Sequence, residues 1–354
     1  MLIYLNATVD QLTAENPAEI EDLFSDLLLA SLNGTHFVII DRRVCDWAKE
    51  NLSCNNRERA QLDRLKELYT QRGSLPSIAR SILEVEVGQL QLTEVTPHKY
   101  RIGHKPLLNG SYLEDARLLV EHIENDGDIL RIILNETRRK HPIRAFRFSL
   151  LHGGGADIAA CLRVEIPNRH IVVSVVDSDK VAPNDTPSAT KRKLDREANN
   201  QTFVGMVCET PCKEAENYIP IATLRAHRQK ICPEFISFET LESLITDQNV
   251  TGESDCVWLY FDLKKGIESE KLDAISDPSV VDWLRERYQL SDSQFSDIEI
   301  GGFGDAILRQ FLNCGEAVKD FVSFMNTPYW KTHFANFFDL IYWYFASERK
   351  VRGV

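Results

Sequence analysis

The chain has 354 residues, with 41 Lys+Arg against 53 Asp+Glu and a formal net charge of −12. That length suggests two or three domains, or one core with large additions, and is enough to bury a core without staples. The acidic balance excludes a protein that merely coats nucleic acid through a basic surface; it does not exclude a nuclease, whose own site contributes carboxylates.

The eight cysteines follow no disulfide-module rhythm. Cys208-x3-Cys212 is the one close pair and lacks partners for a tetrahedral zinc set, so the thiols read as reduced and mostly buried in a cytoplasmic protein. The opening MLIYLNATVD lacks the basic flank and apolar length of a signal peptide. No window reaches the roughly 18 apolar residues of a membrane span. The aromatic stretch Phe334–Phe345 comes nearest, but Asn336 and Asp339 interrupt it, and it reads as a core helix.

Residues 1–110 read as an accessory domain, mixed α/β or mostly helical, for partner contact, substrate contact or scaffolding. A strand is expected at Leu2–Leu5. A helix is expected at Pro17–Leu32, with Asn16 as its cap and proline in the first turn. Thr35–Ile40 reads as a buried strand ending in Asp41, while Arg57–Gln71 and Ser77–Val87 read as helices. Asp41 has no second acid at a useful spacing and is assigned a structural role.

Residues 111–228 alternate strand and helix, which calls for a parallel sheet with right-handed crossovers. Arg117–Val120 is a short strand ending in Glu121, and a helix follows from Asn125–Asp128 through Arg139. Phe146–Leu151 is the next strand, leading into His152-Gly153-Gly154-Gly155, and Ala156–Val164 reads as a helix. The run HIVVSVVDSDK then places an uninterrupted apolar strand, Ile171–Val176, before Asp177 and Asp179. Such a run suits a strand covered on both faces. Val181–Gln201 is polar and basic at its centre, as a surface loop or exposed helix would be. Glu216 lies a short way on, in EAENYIP. Residues 229–354 read as a mostly helical C-terminal domain, with helices at Phe238–Asp247, Val280–Tyr288, Phe303–Cys314 and Ala317–Met325. A strand is expected at Trp258–Phe261.

In open α/β sheets ligands collect beyond the carboxyl ends of the strands. Acids there, at Glu121, Asp177, Asp179 and Glu216, can share a hard cation, which neutralises a transferring phosphoryl group and activates water. Asp126 joins them if its helix leans over the same crevice. Each also has a plainer role. Asp-x-Asp can start a turn, Glu216 can bridge locally with Glu214 the better match, and Asn125-Asp126 can open a helix near the positive end of its dipole. The three glycines can admit a phosphate or simply make a tight turn, and His152 can anchor its own loop.

The strand-end glutamate in LLVEHIEND, the DSD, the HGGG before a helix and E-NYIP, in that order, resemble the Toprim domain. Among Toprim proteins they are most similar to the OLD (overcoming lysogenization defect) class and stand-alone phage-defence Toprim nucleases. The resemblance covers about a third of the chain. It implies a Toprim-like parallel sheet core flanked by helices, and a Mg²⁺- or Mn²⁺-dependent nuclease acting on DNA or RNA in antiviral defence. It implies metal ligands at Glu121, Asp126, Asp177, Asp179 and Glu216, and a later catalytic lysine at Lys264 or Lys265. The class often has glycine directly after the strand glutamate, where this chain has His122. OLD proteins carry an ATPase, yet no Gly-x4-Gly-Lys-Ser/Thr loop is present, so ATP-driven control requires a separate ATPase or sensor protein. Homo-oligomerisation is compatible with all of this. The competing readings are a non-catalytic regulatory or scaffolding subunit with a vestigial site, and a haloacid- or receiver-like phosphotransfer enzyme centred on one aspartate.

Overall fold

The computed structural model describes residues 1–235, 238, 241, 257–268, 275–288 and 299–350. Two parallel sheets flanked by helices make up most of it. The first has strands β1 (Leu2–Leu5), β2 (Phe37–Ile40), β3 (Ile82–Glu86), β4 (Thr93–Thr96) and β5 (Lys99–Gly103) in the order β2-β1-β3-β5-β4, all parallel except the exposed edge strand β4. Its main helices are α1 (Pro17–Asn33), α2 (Arg42–Asn51) and α3 (Asn56–Arg72). The start of α1 follows from its sequence: the Asn16 side chain accepts from the Ala18 N–H at 3.0 Å, and Pro17 needs no donor. Gly34, at φ 68°, ends it in the left-handed conformation, and an added Cβ there would lie 2.5 Å from the Glu348 carbonyl. Asp41 caps α2 through the Arg43 N–H, the structural role expected of it.

Ser77–Val87 is not a helix. Leu75–Ile78 makes one short turn, and Ile82–Glu86 then enters the sheet as β3, with Ile82, Leu83 and Val85 buried. The β-branched and apolar residues of this segment pack between β1 and β5, and that burial outweighs the helical spacing.

The second sheet has β6 (Arg117–Val120), β7 (Ser149–His152), β8 (Ile171–Val176) and β9 (Val204–Glu209), all parallel, in the order β7-β6-β8-β9. Helices α4 (Asp128–Thr137), α5 (Ile158–Glu165) and α6 (Ala189–Ala198) belong to it. Strand β8 has all six residues buried because both faces are covered. Val173 and Val175 enter the large core with Ile129, Ile133 and Phe345, while Val172 and Val176 pack with Ile158, Leu162 and Leu194 beneath α5 and α6. The expected strand at Phe146–Leu151 begins only at Ser149, because Phe146 and Phe148 pack on the C-terminal aromatic residues instead.

The C-terminal part contributes α7 (Pro278–Arg287), α8 (Ile307–Asn313), α9 (Gly315–Phe324) and α10 (Asn336–Phe345), with a two-stranded antiparallel pair, Gly266–Glu268 and Glu299–Gly301. Trp258–Phe261 is not a strand: Val257–Leu259 forms a single 3₁₀ turn whose three side chains are buried. The helix expected at Phe238–Asp247 lies outside the described residues apart from Phe238 and Leu241. The aromatic segment is interior: Trp330, Phe334, Phe338, Tyr342, Trp343 and Tyr344 are all buried, in edge-to-face and stacked contacts. The chain ends are tied together. The N-terminal ammonium donates to the Ala346 carbonyl at 2.7 Å, and buried Glu348 pairs with Arg72 and Arg64. One continuous apolar core therefore runs from Met1 to Ala346. No helix among the described residues is long and apolar enough to cross a membrane.

Candidate active site

Register places the acids. Val120 of β6 is paired with Val175 of β8, so Glu121 and Asp177 leave adjacent parallel strands at the same, carboxyl edge of the sheet. Asp179 follows at φ 56°, a left-handed conformation uncommon for a residue other than glycine and held here by its neighbours. Its N–H donates to the Lys213 carbonyl at 2.9 Å, and the hydroxyl of the intervening, buried Ser178 donates to the Cys212 carbonyl at 2.7 Å. The DSD is thus fixed to the loop that follows β9, a strand the sequence reading does not contain.

That loop brings in the remaining acids. The Ala215 N–H donates to Asp177 Oδ1 at 3.1 Å, and the 3₁₀ turn Ala215–Tyr218 buries Glu216. Glu214, offered by the sequence only as a substitute for Glu216, is buried beside it, and both belong to the cluster. The Asn217 amide donates to the carbonyls of Trp258 (2.6 Å) and Phe261 (2.9 Å), and Trp258 Nε1 donates to the Ile219 carbonyl at 3.0 Å. This grip carries the next residues into the site. Lys264 Nζ lies 2.9 Å from Glu214 and 3.2 Å from Glu216. Lys265 is exposed and only closes the turn on Asp262, so Lys264 is the lysine among the acids. A solvated turn is the simpler sequence reading for both lysines, and for Lys264 it is corrected here: long-range packing through Asn217 draws it inward.

Asp126 sits in a wide π-type turn, Ile123–Gly127, that leads into α4. Its carboxylate accepts from the His122 N–H at 3.0 Å, a local cap, yet its charge also acts on Asp177 and Glu121. It therefore serves its turn and belongs to the acidic cluster. Gly127 allows the close approach: an added Cβ would lie 2.6 Å from the Leu150 side chain. At the end of β7, His152 is exposed and its ring lies 6.2 Å from that of His122. Gly154 and Gly155 both have positive φ, as a tight turn into α5 requires.

The electrostatics follow from crowding. Burial, then the charges of Asp126 and Asp179, raise the pKa of Glu121. Burial, then Asp126 and Glu216, hold Asp177 well above the usual carboxylate range. Asp179 is raised chiefly by burial, with Lys213 and Lys264 opposing. Glu216 is pushed up to about 7 by burial and by Glu214, against the pull of Lys264. Burial disfavours the Lys264 ammonium, but Glu216 and Glu214 outweigh it and raise its pKa. Two ammonium groups, Lys264 and Lys213, cannot neutralise six carboxylates, so the cluster has an appetite for protons or a cation.

A hard divalent ion fits the donor chemistry: every group is a carboxylate, and Glu214 Oε1 is buried without a hydrogen-bond partner. As they stand, no three of these acids bring oxygens within 4.8 Å of one another, so the geometry is that of an acidic cleft and not of a closed cage. Two other groups do come that close, His227–Cys314–Glu316 and Glu15–Glu19–His104. Each already carries a lysine, Lys230 on Glu316 and Lys105 on Glu19 at 3.0 Å.

The basic run Lys191–Arg196 lies on α6, whose Lys191 pairs with Asp195, as a solvated helix face would. The chain is thus a mixed α/β protein with helix-flanked parallel sheets and an acidic cluster at the carboxyl edge of the second sheet. Neither protein-family models, curated proteins nor solved structures give a match to it.

Proposed function

We propose that this protein is a Toprim-like, metal-dependent nuclease that hydrolyses phosphodiester bonds of DNA or RNA, as an effector of antiviral defence controlled by a partner. One observation carries the reading: Glu121 and the Asp177–Asp179 pair leave neighbouring parallel strands at one edge, with Glu216 and Lys264 folded over them. Glu121, Asp177 and Asp179 would hold Mg²⁺ or Mn²⁺, with Asp126 and Glu216 adjusting the charge around it. Such an ion supplies Lewis-acid stabilisation of the phosphoryl oxygens and an activated water. Lys264 would supply a positive charge to a phosphate oxygen, and the loop from Thr210 to Lys213 keeps the DSD in its strained conformation. The defence role and the partner, an ATPase or sensor, rest on the resemblance to the OLD class.

The test is purified protein with Mg²⁺ or Mn²⁺ on plasmid and on total RNA, alongside Asp177→Asn. Metal-dependent cleavage lost in the variant supports the reading. No cleavage under any condition, with or without neighbouring gene products, removes it. One observation favours the alternative, a regulatory subunit with a vestigial site: the Lys264 ammonium already occupies the space between Glu214 and Glu216. That alternative requires no metal binding, which calorimetric titration with Mn²⁺ measures directly.

A further inference from the structure

The far end of α4 carries a second charged feature, of opposite sign. A groove of about 570 Å³ is lined by Asn135, Arg138, Arg139, Arg144, Ala145, Phe146 and Arg349. Four of these seven are arginines and none is acidic, in a chain with a net charge of −12. All four arginines are exposed. Arg139 pairs with Glu136 at 2.9 Å, whereas Arg138, Arg144 and Arg349 make no ion pair among the described residues. Guanidinium groups gathered from three separate chain segments repel one another and gain nothing from the fold. Clustering them is favourable when an anion with several oxygens lies between them.

The placement also fits a long anion. Helix α4 starts beside Asp126 at the acidic cluster and ends at Arg138, so twelve residues at 1.5 Å each separate the two by roughly 18 Å. Arg131, Asn135 and Arg138, spaced i, i+4 and i+7, are exposed on one face of this helix between the two ends. Arg131 is held over the Phe148 ring, 5.7 Å from its centre. The span corresponds to about five steps of a duplex at 3.4 Å each. Phe146, half-buried, adds an aromatic side chain to the groove lining beside the charges.

We propose that this arginine groove binds the phosphate backbone of nucleic acid, and that α4 forms the track leading from it to the acidic cluster. The groove would supply the binding energy that the acidic site lacks, through guanidinium–phosphate pairs that are indifferent to sequence. The proposal names the substrate's path for the function proposed above, but binding through the groove needs neither metal nor catalysis.

The experiment is fluorescence anisotropy of a labelled oligonucleotide of about 20 residues, as single strand and as duplex. It is run in EDTA with the full chain, with Arg138→Gln/Arg144→Gln and with Asp177→Asn. The expected result is binding by the wild type that weakens with salt, and at least tenfold weaker binding by the arginine variant. Its salt slope should be shallower by about 1.5, for two lost phosphate contacts. Asp177→Asn should bind at least as well as the wild type. Circular dichroism and melting show whether the variant is folded, and a milder Arg349→Gln, expected to lose a smaller factor, covers failure of the double variant to fold. Competition by inorganic pyrophosphate as strong, phosphate for phosphate, as by the oligonucleotide would assign the groove to small phosphorylated ligands and overturn the track. Wild-type protein that does not bind, or folded arginine variants that bind equally well, overturn the proposal. If binding behaves as expected while no cleavage is found with Mg²⁺ or Mn²⁺, the nuclease reading fails alone.

Discussion

Glu121 and Asp177 leave adjacent parallel strands at the same edge, because Val120 is paired with Val175, although the sequence separates the two acids by more than fifty residues. That register sets two acids side by side at the carboxyl edge of a parallel sheet, where burial and the neighbouring Asp126 raise the proton affinity of both.

Asp177→Asn and Asp179→Asn should each reduce metal-dependent cleavage by about 100-fold or more, with unchanged circular dichroism. Both remove a carboxylate from a cluster already overcharged, so neither should lower the melting temperature in EDTA. Full activity with Mg²⁺ in either variant would disprove the site.

Lys264→Met removes the only ammonium paired with Glu214 and Glu216 among the described residues. Both acids are buried, so the variant should be destabilised by about 2–4 kcal/mol, discounted slightly because Lys264 is partly exposed. Adding Glu214→Gln to it should recover part of the loss. Urea denaturation of Lys264→Met, Glu214→Gln and the double variant measures both effects, and additive losses would show that the pair does not interact.

Glu216 has a folded pKa of about 7, above its ordinary carboxylate value. A raised pKa means that the folded state binds the proton more tightly. Its contribution is fully present below the unfolded pKa and is lost as pH rises through about 7. Without metal, the melting temperature should therefore fall by a few degrees between mildly acid and mildly alkaline buffer. Mn²⁺ should abolish that fall and release protons on binding near neutrality. The same pH profile with and without Mn²⁺ would separate the cluster from metal binding.

Tyr344→Phe tests the join between the two sheets. Its hydroxyl and that of Tyr100 lie 3.0 and 2.7 Å from the Gly205 carbonyl, and His98 Nδ1 is 2.8 Å from Tyr344 Oη. Losing one hydroxyl should cost about 1–2 kcal/mol, read by denaturant melting. A change below a few tenths would mean that Tyr100 alone satisfies the carbonyl.

Local chemistry made parts of the fold legible in the sequence. The unbroken apolar run Ile171–Val176 could be satisfied only by burial on both faces, and it became a central strand ending in the DSD. Asn16 with Pro17 and the helical spacing to Leu32 set α1 at its start, and Arg117–Val120 ended at Glu121 as its pattern demanded. These are properties of short windows: periodicity, a cap, a strand end. Tertiary structure alone decided the rest. Ser77–Val87 carries helical spacing but lies between β1 and β5, where pairing on both sides made Ile82–Glu86 a strand. Trp258–Phe261 looks extended by composition and became a turn, because Asn217 binds two of its carbonyls. Through that grip Lys264 entered the acidic cluster while Lys265 stayed in solvent. No window of sequence contains that difference, since it depends on one amide from a loop more than forty residues away.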